Sequence, residues 1–119
     1  MIKNLSKKIT VFNDVTQIDV QPDVIVMCHA AVVSGTAVLS ENELVARNVS
    51  FTQTILNYFP KAKIIYISTV AVYGNTAQLI TESTSENPQS DYATSKLKAE
   101  QLLLKNANTT IIRFSSLYG

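Results

Sequence analysis

Residues 24–28 read Val-Ile-Val-Met-Cys, five apolar side chains in a row after Pro22-Asp23. A strand with one wet face alternates apolar and polar residues. An unbroken run this short points instead to a strand covered on both faces, as in a parallel sheet. Lys63-Ile-Ile-Tyr-Ile67 repeats the pattern, and Thr110-Ile-Ile-Arg-Phe114 gives a last strand. Between the first two runs, Ser40-Glu-Asn-Glu43 is a capping box that opens a helix over 40–59, and Pro60 stops it. A second helix starts at Ser90 or Asp91 and runs to about 106. Residues 9–12 fit a short strand, residues 14–21 are too short and polar for a helix, and residues 74–91 read as a long polar loop. The order strand, helix, strand, helix, strand predicts right-handed βαβ units: an α/β fold with a parallel sheet and helices on both faces.

The bulk composition narrows the function classes. The 119 residues make one domain, 1–119, large enough for one core. At 46% hydrophobic and 16% charged, the chain is of globular rather than disordered type. Net charge is +1, and the Lys3, Lys7, Lys8 cluster does not continue into a basic stripe, so nucleic acid is not an expected partner. The lone Cys28 excludes an internal disulfide, fits a reducing compartment, and reads as a small core residue. The longest apolar run, 24–33, is too short to span a bilayer. No apolar segment follows the lysine-rich start, so neither a signal peptide nor membrane partners are expected, and the location expected is cytoplasmic. With one histidine and one cysteine, no metal site is expected.

In open parallel sheets, ligands bind beyond the carboxyl ends of the strands. The informative residues are therefore those that follow the strands: His29-Ala30-Ala31, Ser68-Thr69 and Ser115-Ser116. Tyr92 and Lys96 stand four apart on the second helix and share a face. A tyrosine titrates near pH 10, and an adjacent ammonium lowers that value by favouring the phenolate. The pair is thus equipped for general acid/base work, with a hydroxyl such as Thr69 to align a substrate oxygen. The plainer reading is a solvated helix face that carries a tyrosine and a lysine.

Four stretches, in order and at matching spacing from Pro22 to Gly119, resemble the extended short-chain dehydrogenase/reductase family, in particular its NAD-dependent sugar-nucleotide epimerases and dehydratases. They are PDVIVMCHAA, IIYISTVAVYG, TESTSENPQSDYATSKLKAEQ and IIRFSSLYG. The resemblance implies a partial Rossmann-like, doubly wound parallel sheet. It makes Tyr92 the general acid/base, and Lys96 the residue that binds the nicotinamide ribose and depresses the Tyr92 pKa. Thr69, five residues before Gly74, becomes the third catalytic residue. Ser68 lines the cofactor site, Ala30 and Ala31 let the cofactor pass closely over the strand end, and Ser116 takes the place of the usual asparagine near the nicotinamide. Asn48 resembles an asparagine that braces the strand turns. The implied cofactor is NAD or NADP, and the implied partner is a nucleotide-sugar substrate. A homodimer through helices 40–59 and 91–106 is implied as well, against the alternative of helices merely buried in their own chain. Leu102-Leu-Leu104 is wider than one core-facing stripe needs.

The departures are as informative. Cys28 occupies the position where the family usually has histidine, and His29 reads as a packed residue rather than a catalytic one. Arg113 reads as structural. The three glycines, Gly35, Gly74 and Gly119, lie too far apart to form a glycine-rich phosphate turn. The stretch thus resembles the middle of an epimerase/dehydratase, without the first βαβ unit and the C-terminal substrate domain. An uncovered apolar sheet face and an unprotected edge are expected to result. Two function classes follow: a nicotinamide-dependent oxidoreductase with Tyr-Lys-Thr acid/base chemistry, or a catalytically inactive dimerising or partner-binding module. If the βαβ reading holds, the Thr69 and Tyr92 hydroxyls and the Lys96 ammonium converge on one cleft touching Ala30 and Ala31.

Overall fold

The computed structural model describes residues 14–29 and 40–115. The strand expected at 9–12 lies outside them, as do Ala30, Ala31 and Ser116. Three strands form one parallel sheet in the order β1 (Val24–Met27), β2 (Lys63–Thr69), β3 (Thr109–Phe114). Helical residues Glu41 to Tyr58 link β1 to β2, as α1 (Glu41–Val45), a π turn (Ala46–Ser50) and α2 (Phe51–Tyr58). Helix α3 (Asp91–Leu103) links β2 to β3. A 3-10 turn, Val15–Gln17, precedes β1 in a stretch whose polarity argued against a helix, and a second one, Val70–Tyr73, follows β2.

The caps are those the sequence announces. The Glu43 amide donates to Ser40 Oγ, and the Ser40 amide donates to the Glu43 carboxylate at 2.9 Å. Helix α2 ends at Tyr58, with Phe59 as its cap just before Pro60. Ser90 caps α3 by accepting from the Ala93 amide at 3.1 Å. α3 stops at Leu103, three residues before its expected end. Leu103 is fully buried while Leu104 is 64% exposed, so the leucine triplet spans one turn from core to surface.

Every strand-to-strand step moves the same way across the sheet. Right-handed crossovers made in one direction place all their helices on one face. That is the observed arrangement: Ile25 and Met27 of β1 and Ile64 and Tyr66 of β2 pack with Ile55, Phe59, Ala99 and Leu103 of the helices and the residue after α2. The opposite face carries Val24, Val26, Ile65, Ile67, Ile112 and Phe114 by strand register. Val26 is 54% exposed there. So the cover on both faces, read from the unbroken apolar run, is present on one face only among the described residues. Cys28, expected in the core, is exposed. It follows the end of β1 with the same parity as Val24 and Val26.

Candidate active site

The carboxyl end of β2 gathers the residues of interest. Thr69 is the last residue of the strand, half-buried, and its Oγ1 accepts from the Ala71 amide at 3.1 Å, capping the short turn that follows. Strand alternation groups Thr69 with Ile65 and Ile67, the side that the helices leave open. Tyr92 stands in the first turn of α3, on the covered side, half-buried. Thr69 thus lies on the open side of the sheet and Tyr92 on the helix-covered side, so the convergence of both hydroxyls on one cleft, expected from the sequence, is not seen among the described residues.

Lys96 is 1% exposed. Its Nζ donates to the Ile67 carbonyl at 2.7 Å and lies 4.0 Å from the centre of the Tyr66 ring. Burial pulls its pKa down to about 8, against the opposing pull of Glu100 and Cys28. Burial also pushes the Tyr92 phenol above its ordinary value, the reverse of the depression expected from Lys96. The ammonium is turned to the strand and to Tyr66. The Tyr66 phenol is raised well above its usual range by burial, then by Glu100 and Tyr92. Tyr66 thus lies beside the Lys96 ammonium. Its hydroxyl is buried without a hydrogen-bond partner among the described residues.

His29 packs as the sequence suggests. Its ring meets Phe51 edge-on at 4.5 Å and Tyr66 at 6.3 Å, and burial, then Lys96, keeps it neutral-leaning. Asn48, in the π turn, is fully buried. Its Nδ2 donates to Ser95 Oγ at 2.8 Å, and Ser95 Oγ donates to the Tyr92 carbonyl at 2.8 Å. An asparagine taken for a brace of the strand turns is thus tied to the helix turn that carries Tyr92.

Ser68, expected to line a cofactor site, is buried on the covered face and donates a short hydrogen bond to Glu100. Glu100, the penultimate residue of the TESTSENPQSDYATSKLKAEQ stretch, has no role in the sequence reading. Its carboxylate takes Arg113 Nε at 3.2 and 3.1 Å and Arg113 Nη2 at 2.6 Å. Arg113 also donates to the Tyr73 hydroxyl and to Glu86, both at 2.7 Å. Arg113 is structural, as read. The available signal for Glu100 was its place four residues after Lys96, on the same helix face.

A small concavity of about 200 Å³ lies beside this end of the sheet, lined by Ala71, Gly74, Asn75, Gln89 and Ser90. A larger one, about 550 Å³, lies among Gln53, Pro60 and Leu102 at the other end of the helices, away from the chemistry. The first matches the rule that ligands bind past the strand carboxyl ends. Lys96 and Tyr92 are the residues the resemblance gives to the nicotinamide ribose; Lys96 is buried, with its Nζ on the Ile67 carbonyl. Gly74 is no phosphate cradle: its φ is +70° and a Cβ there would sit 2.2 Å from the Asn87 carbonyl oxygen, so its bare backbone serves a turn. Among the described residues no cluster of three or more metal-ligating side chains occurs, and no helix is long and apolar enough to cross a membrane.

Residues 5–119 match the family model described as the NAD dependent epimerase/dehydratase family. Among solved structures, the chain is similar to the UDP-glucuronic acid 4-epimerase of Bacillus cereus in complex with NAD, at 28% identity and TM-score 0.70, over 82% of this chain and 33% of that one. It is similar to the UDP-glucose 4-epimerase of Brucella ovis in complex with NAD, at 26% identity and TM-score 0.70, over 80% and 32%. It is also similar to the ADP-L-glycero-D-manno-heptose-6-epimerase of Helicobacter pylori, at 29% identity and TM-score 0.65, over 79% and 31%. The chain spans about a third of the length of these relatives. No curated protein matches it.

Proposed function

The chain belongs to the NAD dependent epimerase/dehydratase family, and on that footing we propose that it supplies the acid/base side of a nicotinamide-dependent site acting on a nucleotide-linked sugar. The observation that carries this reading is the buried Lys96, hydrogen-bonded to the Ile67 carbonyl near the end of β2 and one helical turn from Tyr92. Solved relatives bound to NAD, and named for UDP- or ADP-linked sugars, support the class of cofactor and substrate.

The roles are these. When bound, the nicotinamide accepts and returns a hydride and, oxidised, adds a positive charge. Tyr92 Oη holds the proton exchanged with the sugar hydroxyl. Burial keeps that phenol protonated in the chain by itself, so Tyr92 starts as an acid and needs a nearby cation to become a base. Lys96 binds the ribose hydroxyls beside it. Thr69, at the edge of the sheet, aligns the substrate oxygen. The homodimer through helices 40–59 and 91–106 belongs to this proposal. Tyr58, 51% exposed, and Leu104 are apolar side chains that those stretches leave at the surface.

A catalytically inactive binding module is the second reading. What favours it is the glycine count, which leaves these 119 residues without a phosphate turn. Turnover separates the two. The gene product carrying these residues, assayed with NAD or NADP and with UDP- and ADP-linked sugars, is expected to act on one of them. Tyr92→Phe is then expected to slow it by roughly 10²- to 10⁴-fold with cofactor affinity held. Unchanged turnover in Tyr92→Phe would refute the acid/base role, and no turnover with any of these sugars would favour the module.

A further inference from the structure

Glu100 is fully buried, an expensive place for a carboxylate unless its charge is answered. Three groups touch or face it. Arg113 engages it from β3 with two nitrogens, Ser68 donates to it from the end of β2, and Lys96 lies one helical turn before it on the same face of α3. Ser68 is the immediate neighbour of Thr69. The same arginine is stacked on the Tyr73 ring, 4.7 Å from its centre, and reaches Glu86 in the loop leading to α3. One side chain thus ties β3 to the end of β2, to the turn after it, to the loop and to the helix. Tyr73 and Glu86 share the arginine's outer nitrogens, but only Glu100 is buried at the strand end one helical turn from the lysine.

We propose that Glu100, clamped between Arg113 and Ser68, is a positioning residue of the candidate site, seating the Lys96 ammonium against the end of β2. This rests on the acid/base reading of Lys96 given above. The groups facing Lys96 are Cys28 and His29 after β1, Tyr66 from β2, and Glu100 from α3. Glu100 is the one among them that carries a carboxylate. Its loss should leave the ammonium with the burial cost and without that counter-charge. Loosened packing would act in the other direction, because an exposed lysine returns toward its ordinary 10.5.

The opposite signs make the test. The wild-type chain and Glu100→Gln are titrated by NMR with isotopically labelled lysine side chains, and the Lys96 signal is assigned from Lys96→Arg. The midpoint for Lys96 is expected to fall below its wild-type value of about 8, by roughly one pH unit. Glu100→Asp, which keeps a carboxylate for Arg113 and Ser68 one methylene further from the lysine, guards against an unfolded Glu100→Gln; it is expected to shift the same way by less. A Lys96 midpoint that stays put or rises in folded Glu100→Gln, or in Glu100→Asp where the first does not fold, overturns the proposal. Because the readout is the lysine itself, it stands apart from turnover. Loss of the acid/base reading would show in Tyr92→Phe and leave this titration unaffected.

Discussion

Lys96 Nζ donates to the Ile67 carbonyl oxygen at 2.7 Å, so a side chain of α3 is anchored on the strand β2, near its end, rather than on the tyrosine one helical turn before it. A buried ammonium held this way costs stability, and the cost depends on pH.

The folded Lys96 value, about 8, lies below its ordinary 10.5. Below pH 8 both folded and unfolded chains hold the proton, and the full cost of the buried ammonium is present. Between pH 8 and 10.5 the unfolded chain holds more protons, so stability rises with pH, by on the order of 3 kcal/mol from this group. Tyr66 and Tyr92 are shifted upward, so the folded chain keeps their protons above pH 10 where the unfolded chain loses them, and stability falls again. Urea unfolding at a series of pH values should show a maximum between about pH 9 and 10. Lys96→Met should flatten the rising limb while leaving the fall above pH 10.

The arginine network predicts an asymmetry between its two carboxylates. The Glu100 side chain is 1% exposed and the Glu86 side chain 40%. Arg113→Met strands a buried carboxylate and is expected to cost about 3–5 kcal/mol. Glu86→Gln removes a half-solvated partner and should cost less than about 1 kcal/mol. Urea melts of the two variants at neutral pH check the difference; equal losses would mean that the exposed pair, and not the buried one, carries the network.

Gly74 is held at φ +70°, beside the Asn87 backbone. Gly74→Ala adds a Cβ where the Asn87 carbonyl oxygen already lies at 2.2 Å. Both the left-handed strain and the clash oppose it, and a loss of roughly 1–3 kcal/mol is expected. The Asn87 amide bond to the Val72 carbonyl, 2.9 Å, closes the same loop, so faster protease cleavage within 74–89 should accompany the thermal shift.

The elements were legible because each carries a local signal. The Ser40 and Ser90 caps, Pro60, and the three apolar runs mark the helices and strands within a few residues. The partly covered sheet was not legible from Val24–Met27 alone. An unbroken apolar run says that both faces want cover and does not say what supplies it; the direction of the crossovers does. Within the candidate site, the Tyr92–Lys96 spacing marked the helix face. What failed was the direction of Lys96, because its partner is a backbone carbonyl 29 residues away. Ser68 reads as a site-lining hydroxyl in sequence, yet register sends it to Glu100. Arg113 reaches Tyr73 across 40 residues and Glu86 across 27, and no periodicity records such pairs.

The central claim is that Tyr92 and Lys96 serve a nicotinamide ribose at the carboxyl end of β2, with Thr69 at the sheet edge beside it for the substrate oxygen. Nicotinamide mononucleotide tests it most directly on the 119-residue chain, because it needs no glycine-rich phosphate turn. In an NMR titration at millimolar concentration, shifts are expected at Lys96, Tyr92 and the Thr69 methyl, and Lys96→Met should abolish them. Adenosine monophosphate should leave those signals in place. Shifts confined to the opposite end, around Gln53, Pro60 and Leu102, or no shifts at Lys96 and Tyr92, would contradict the account.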